Sequence, residues 1–295
     1  VIELESVALS VAAPEFGDVV VATVSPEGAT YDYQWYRVDD EGTATAISGA
    51  TSATYTVGFA DVNYTLRVVA TGNGDYAGAV SADTAKIAAP TVVTVKEATQ
   101  AALVEAVNVV ADGGMIFFAN SLAGSTITLT GSEIELKKNV AIIGGQLGIT
   151  IDANEQSRIF NVGSGYEVEL SGLMLTGGCT SSDGGAIYNR GSLKLSKMWF
   201  TGNAADDGGA IYCDYEGSLA VTNSTFTGNS SADNGGAIYI GSQALFTVTG
   251  STFIGNSAAE GKTEESGKGG AIYSESDKLF TVTNSTFTEN SAGNG

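Results

Sequence analysis

Histidine is absent from this chain of 295 residues. That gap removes imidazole acid/base chemistry, Ser-His-Asp and Cys-His nucleophile systems and His-ligated zinc. Catalysis would have to run on carboxylates, Lys, Arg or Tyr. Proline occurs only 3 times and charged residues make up only 16%, while glycine, at 39, is nearly double the usual ~7%. Neither a collagen-like chain nor a charged disordered tail fits these values; many short strands joined by tight turns do. Basic residues are also scarce: 13 Lys and Arg against 33 Asp and Glu give a formal net charge of −20, which opposes any phosphate backbone and excludes a nucleic-acid partner. Two cysteines, Cys179 and Cys213, cannot form a disulfide scaffold and read as small buried hydrophobes, and no Cys or His cluster offers a metal site. No run of ~18 apolar residues is present, so no transmembrane segment is expected. The opening VIELESVALS lacks the layout of a signal peptide, so the chain reads as soluble and as a processed or excised piece.

The texture changes at Lys86 to Pro90. Before it, Asp18 to Val24, Tyr31 to Val38, Thr54 to Val57 and Tyr64 to Ala70 are short runs of β-branched and aromatic residues separated by turn signals such as Gly72-Asn73-Gly74-Asp75. Strands at this spacing predict a β-sandwich over residues 1–89, with Trp35 buried in the third strand and Tyr64 forming a tyrosine corner. Leu66 stands where an antibody domain would carry its second cysteine, so apolar packing replaces the disulfide. The segments Tyr33 to Arg37, Ile47 to Thr51, Tyr55 to Val57, Tyr64 to Val69 and Gly74 to Gly78 resemble the bacterial immunoglobulin-like modules of large surface proteins. That resemblance implies an N-terminal Ig-like sandwich.

In residues 90–295, Thr94 and Glu97 have the spacing of a capping box, which predicts a helix over about 95–111 with Leu103, Val107 and Val110 on its buried stripe. Beyond Met115 the chain reads as strand and turn. Two words alternate over about 170–295. The first is Gly-Gly-Ala-Ile-Tyr, at Gly184, Gly185 and Ile187, at Gly208, Gly209 and Ile211, at Gly235, Gly236 and Ile238, and at Gly269, Gly270 and Ile272. The second is Phe-x-x-Asn, pairing Phe200 with Asn203, Phe226 with Asn229, Phe253 with Asn256 and Phe287 with Asn290. Alternating strands such as Leu219-Ala-Val221 lie between the words. Such a unit is too small to bury its own apolar face, so copies must stack at the ~4.8 Å spacing of a sheet. The result is an all-β protein ending in a parallel β-helix of roughly seven or eight coils, at ~24 residues each, with a short N-terminal capping helix. In it the glycine pairs make turns and close approaches, Ile and Phe fill the interior, and the asparagines form a ladder.

The alternating words resemble the repeats of chlamydial polymorphic outer-membrane proteins and of the wider group of bacterial right-handed β-helix surface proteins. The resemblance implies a right-handed parallel β-helix, secretion or surface display, and in many cases adhesion. One departure is that Leu175-Thr-Gly-Gly178 stands where Phe-x-x-Asn is expected, so the ladder begins at Asn203. No translocator barrel lies within these residues. Ser291 to Gly295 stops where the next Gly-Gly-Ala-Ile would begin, so the rod is read as truncated, with an open end available to a second copy.

Polysaccharide-cleaving β-helices offer the competing chemistry. Asp206-Asp207, with Asp183 and Asp233 one coil away on either side, is the one candidate acid group, and its place beside glycines reads as solvated turn chemistry rather than a Ca²⁺ site. Arg158, Arg190, Lys194 and Lys197 read as solvated surface charge. We therefore expect no catalytic, cofactor-binding or metal-ligating residue and no enzyme. The expectation is an extracellular structural or adhesive rod that meets carbohydrate, or a protein of a host or neighbouring cell surface, through its long faces or the loop inserted at 259–268. A polysaccharide-binding or polysaccharide-cleaving protein and a filament subunit are the alternatives.

Overall fold

The computed structural model of the chain describes residues 1–259 and 267–293, and it divides into two compact units, Val1–Pro90 and Thr91–Gly295. Among the described residues no helix is long and apolar enough to cross a membrane.

In the first unit, alternation of apolar and polar residues builds two antiparallel sheets. Ser6–Leu9, Val19–Ser25 and Thr54–Thr56 form one. Ala44–Ala46, Tyr31–Val38, Thr65–Gly72 and Ala79–Lys86 form the other. Val20, Ala22 and Val24 face Trp35, Leu66, Val68 and Ala70 in one core. Trp35 is fully buried, stacks on Tyr55 at 5.4 Å and donates its indole N–H to the Ser52 carbonyl. The expected tyrosine corner does not form. Asn63 takes a left-handed φ of 71°, and Tyr64 is 37% exposed. The turn is held instead by Asp61, whose fully buried carboxylate accepts from Arg37 Nε at 2.7 Å, the Tyr55 hydroxyl and the Gly58 N–H. A buried charge is tolerable when paired and hydrogen-bonded in this way.

The second unit is a parallel β-solenoid. Each complete turn contributes one strand to each of three sheets, and neighbours in a sheet are successive turns. The later turns add a two-residue strand to a fourth sheet, Ala204–Ala205, Ser230–Ser231, Ser257–Ala258 and Ser291–Ala292. In the first sheet Ile116, Ile142, Leu170, Leu195, Val221 and Val248 stand in register. In the second, Ile127, Ile151, Leu175, Phe200, Phe226, Phe253 and Phe287 do so, and in the third Phe160, Ile187, Ile211, Ile238 and Ile272. These columns fill the interior, and the phenylalanine rings stack at 4.6, 4.7 and 4.8 Å, close to the spacing of the strands that carry them. Among the described residues six complete turns and part of a further one are present, rather than seven or eight. The register advances 25 residues from Val168 to Leu193 and 28 from Val140 to Val168, because turns between sheets take more chain than the repeat words suggest. The inserted loop after Ala259 falls, over residues 260–266, outside the described residues.

The helix is shorter than expected, Gln100–Val109, and the capping box at Thr94 and Glu97 is not formed. Val92–Val95 is a strand paired in parallel with Met115 to Phe118, since Val93 and Val95 have an edge to extend and an interior to fill. Thr99 is the N-cap and accepts from Ala102 N. Leu103, Ala106, Val107 and Val110 are buried beneath the helix. Lys138 donates to the carbonyls of Asn108 and Val110 at the helix end, and Gln100 bonds Thr130 and Ser132. Strand and helix together occupy the place of a turn ahead of Gly114, which covers backbone groups that an open sheet edge would leave unpaired.

Candidate functional site

The residues of both repeat words fall in aligned columns. In the first word, Gly184, Gly208, Gly235 and Gly269 all take left-handed φ near 60–70°. Gly185, Gly209, Gly236 and Gly270 instead face backbone of the next turn so closely that an added Cβ would lie within 2.2 to 2.5 Å of it. In the second word, each asparagine amide bridges turns. Asn229 Nδ2 donates to Phe200 O at 3.0 Å and to Asn256 Oδ1 at 2.9 Å, and its Oδ1 accepts from the main-chain N–H and Nδ2 of Asn203. Asn256 repeats this geometry, Asn203 begins the ladder with Nδ2 donating to Leu175 O and Oδ1 accepting from the Gly178 N–H, and Asn290 Oδ1 receives the last pair of bonds. At Asn229 and Asn256 both amide donors and both acceptor positions are used, which is why a polar column is stable where Asn203, Asn229 and Asn256 are fully buried.

Outside the third sheet lies a feature that the twenty repeat residues named above omit. Of Tyr188, Tyr212, Tyr239 and Tyr273, the last letter of the first word, the first three stack on one another at 5.3 and 4.6 Å and Tyr273 lies tilted against Tyr239 at 5.3 Å. Tyr188 donates to Asp214 at 2.7 Å. Burial, then Asp214, pushes the Tyr188 phenol up to about 12. The repetition of Tyr was visible in the sequence; its outward position gave no packing reason to single it out.

Beside this column the turns stack as well. The Gly184 N–H donates to Asp207 O at 2.9 Å, the Asp207 carboxylate accepts from the Asn234 N–H at 2.7 Å, and Asn234 Oδ1 accepts from the Lys268 N–H. Asp207 is therefore not a freely solvated turn acid: burial first, then Asp233 and Asp183, pushes it up to about 6. Arg158 is likewise not surface charge. It pairs with Glu133, donates to Ser182 and to the carbonyls of Asp183 and Gly184, and lies over the Tyr188 ring at 5.2 Å. Arg190 also approaches that ring, at 5.8 Å, while Lys194 and Lys197 are exposed.

A raised acid pKa costs stability above its folded value, and the cost disappears as pH falls toward the ordinary value near 4. Acidification from pH 7 to 5 is therefore expected to stabilise the chain through Asp207, by under about 1 kcal/mol because the group is half exposed. Asp207→Asn, which copies the residue at 234, should gain that increment at pH 7 and flatten the profile. Urea midpoints of both proteins at the two pH values check it.

The outer face of the second sheet is different in kind. One column runs Thr126, Thr150, Met174, Trp199, Thr225, Thr252, Thr286, and its neighbour runs Thr128, Asp152, Thr176, Thr201, Thr227, Ile254, Thr288. Asp152 is the one charged residue in the two columns, and it caps its own turn by accepting from Asn154 N at 2.8 Å.

The family described as the right handed beta helix region matches residues 147–295. The chain belongs to the right-handed β-helix family. No curated protein and no solved structure matches the chain. This β-helix protein has, among the described residues, no group of three or more His, Cys, Asp or Glu side chains arranged to hold a metal ion. Cys213 is a buried free thiol that burial pushes up to about 12, and Cys179 is also free. The β-helix acid Asp207 points a carboxylate oxygen at the main-chain N–H of Asn234 in the next turn, a use that joins turns together.

Proposed function

We propose that the chain is a non-enzymatic, extracellular structural or adhesive protein, with an Ig-like spacer in its first ninety residues and a β-helix rod that presents long recognition faces. The observation that carries this reading is the exterior of the rod. Two columns of mostly threonine and one of tyrosine run along it, and the half-buried Asp207 beside them is tied to main chain. Neutral hydroxyl rows suit contact with another surface, while the half-covered tyrosine column, with Tyr239 buried, serves to hold the turns together. The absence of histidine and the Gly-Gly-Ala-Ile and Phe-x-x-Asn words support the same reading through their likeness to surface-displayed β-helix proteins.

Beads coated with the chain are expected to be retained on layers of epithelial or bacterial cells well above beads coated with serum albumin. Equal retention would sink the adhesive reading. Unsaturated or reducing ends released from polygalacturonate by the purified chain would favour a lyase or hydrolase instead.

A further inference from the structure

Trp199 departs from its own column. Five of the other six positions aligned with it are threonine, and the sixth is Met174. An indole there contributes little to the fold. It is 44% exposed, and among the described residues it makes no ring contact and donates no hydrogen bond, while Met174 beside it is 38% exposed. Exposed aromatic surface of this size favours association with something that covers it. Tryptophan is also the side chain that offers a binding partner the widest apolar face together with one N–H donor.

The surroundings narrow the occupant. Thr176, Thr201, Thr225 and Thr227 place hydroxyls around the indole, and none of them is charged. A net charge of −20 repels acidic polymers, and a cationic ligand would find its carboxylates along the tyrosine column, not here. An uncharged ligand with apolar faces and hydroxylated edges matches both the indole and the threonine rows. We propose that Trp199, with Met174 and the flanking threonines, is a binding subsite for a neutral polysaccharide, with a pyranose ring lying against the indole. This rests on the adhesive reading of the rod and gives it a ligand class.

The chain holds two tryptophans, and Trp35 is fully buried in the other unit, so a ligand-dependent change in emission reports Trp199. Cellohexaose and laminarihexaose serve as neutral probes, with polygalacturonate and chitosan oligomers as charged controls. At least one neutral probe should move the emission to shorter wavelength and protect it from acrylamide. Calorimetry should then show at least about a tenfold loss of affinity in Trp199→Thr. That variant copies the residue of neighbouring turns, so its thermal midpoint should stay within about 2 °C of the parent.

No response to either neutral probe, equal binding by the variant, or preference for a charged control would overturn the subsite. So would light scattering that finds a dimer abolished by Trp199→Thr, because a second copy would then be what covers the indole. Bead retention that survives the substitution leaves the adhesive reading standing and removes Trp199 from it. Glucan binding without bead retention does the reverse.

Discussion

Asn229→Ala is expected to lower the unfolding free energy by about 3–5 kcal/mol, seen as a fall in the urea midpoint. The side chain is fully buried between two identical neighbours. Its removal leaves the main-chain N–H and Nδ2 of Asn203 without their shared acceptor and Phe200 O without a donor. Each buried polar group left unmet costs about 1–3 kcal/mol, and the costs fall short of a full sum because the orphaned groups share one space. Asn229→Asp should be at least as damaging at neutral pH. It keeps an acceptor but turns a carboxylate oxygen toward Phe200 O and Asn256 Oδ1, where the amide donated. Asn290 is the control within the same ladder. It is only half-buried, so water can replace the lost amide and Asn290→Ala should cost about 1 kcal/mol. Equal losses at 229 and 290 would mean that the ladder is not what holds the turns.

What the sequence disclosed follows from this division between columns and single positions. Phe226 and Asn229 are legible because stacking forces the same side chain into the same place four times, and repetition is visible without coordinates. The weaker upstream turns are legible for a related reason, since Ile127 and Ile151 continue the phenylalanine column in apolar alternation. The start of the helix was not. Thr94 and Glu97 satisfy a local rule, but Val93 and Val95 gain a strand partner and burial, and that tertiary gain moves the cap to Thr99. Asp207 misleads for the same kind of reason. An acid beside glycine in a lone turn is solvated, whereas a turn stacked between two others is half covered by them. Trp199 was invisible because its meaning lies in register: only when Thr225 and Met174 stand beside it does an exposed indole become an exception.

Gly209→Ala should cost more than about 4 kcal/mol or prevent the rod from forming, whereas Gly228→Ala should cost about 1–2 kcal/mol. The two substitutions add the same methyl group to the same unit and remove the same freedom from the unfolded chain, so their difference isolates what the folded state allows. At Gly209 the new Cβ would lie 2.3 Å from Gly236 O and 2.5 Å from Ser230 O, both main-chain atoms of the next turn. Neither can retreat without lengthening bonds that join the turns, such as Gly209 N to Gly235 O at 3.1 Å and Ala210 N to Ala237 O at 2.9 Å. At Gly228 nothing lies within 4 Å, and the cost is that of a left-handed φ of 61° alone. The chain already makes this comparison. In the last Phe-x-x-Asn word the place of Gly228 is taken by Glu289, held at φ 56°, while the second glycine of Gly-Gly-Ala-Ile is kept in all four words. Thermal midpoints followed by circular dichroism would rank the two variants. Equal midpoints would mean that turn conformation, not the close approach of backbones between turns, is what demands glycine in the first word.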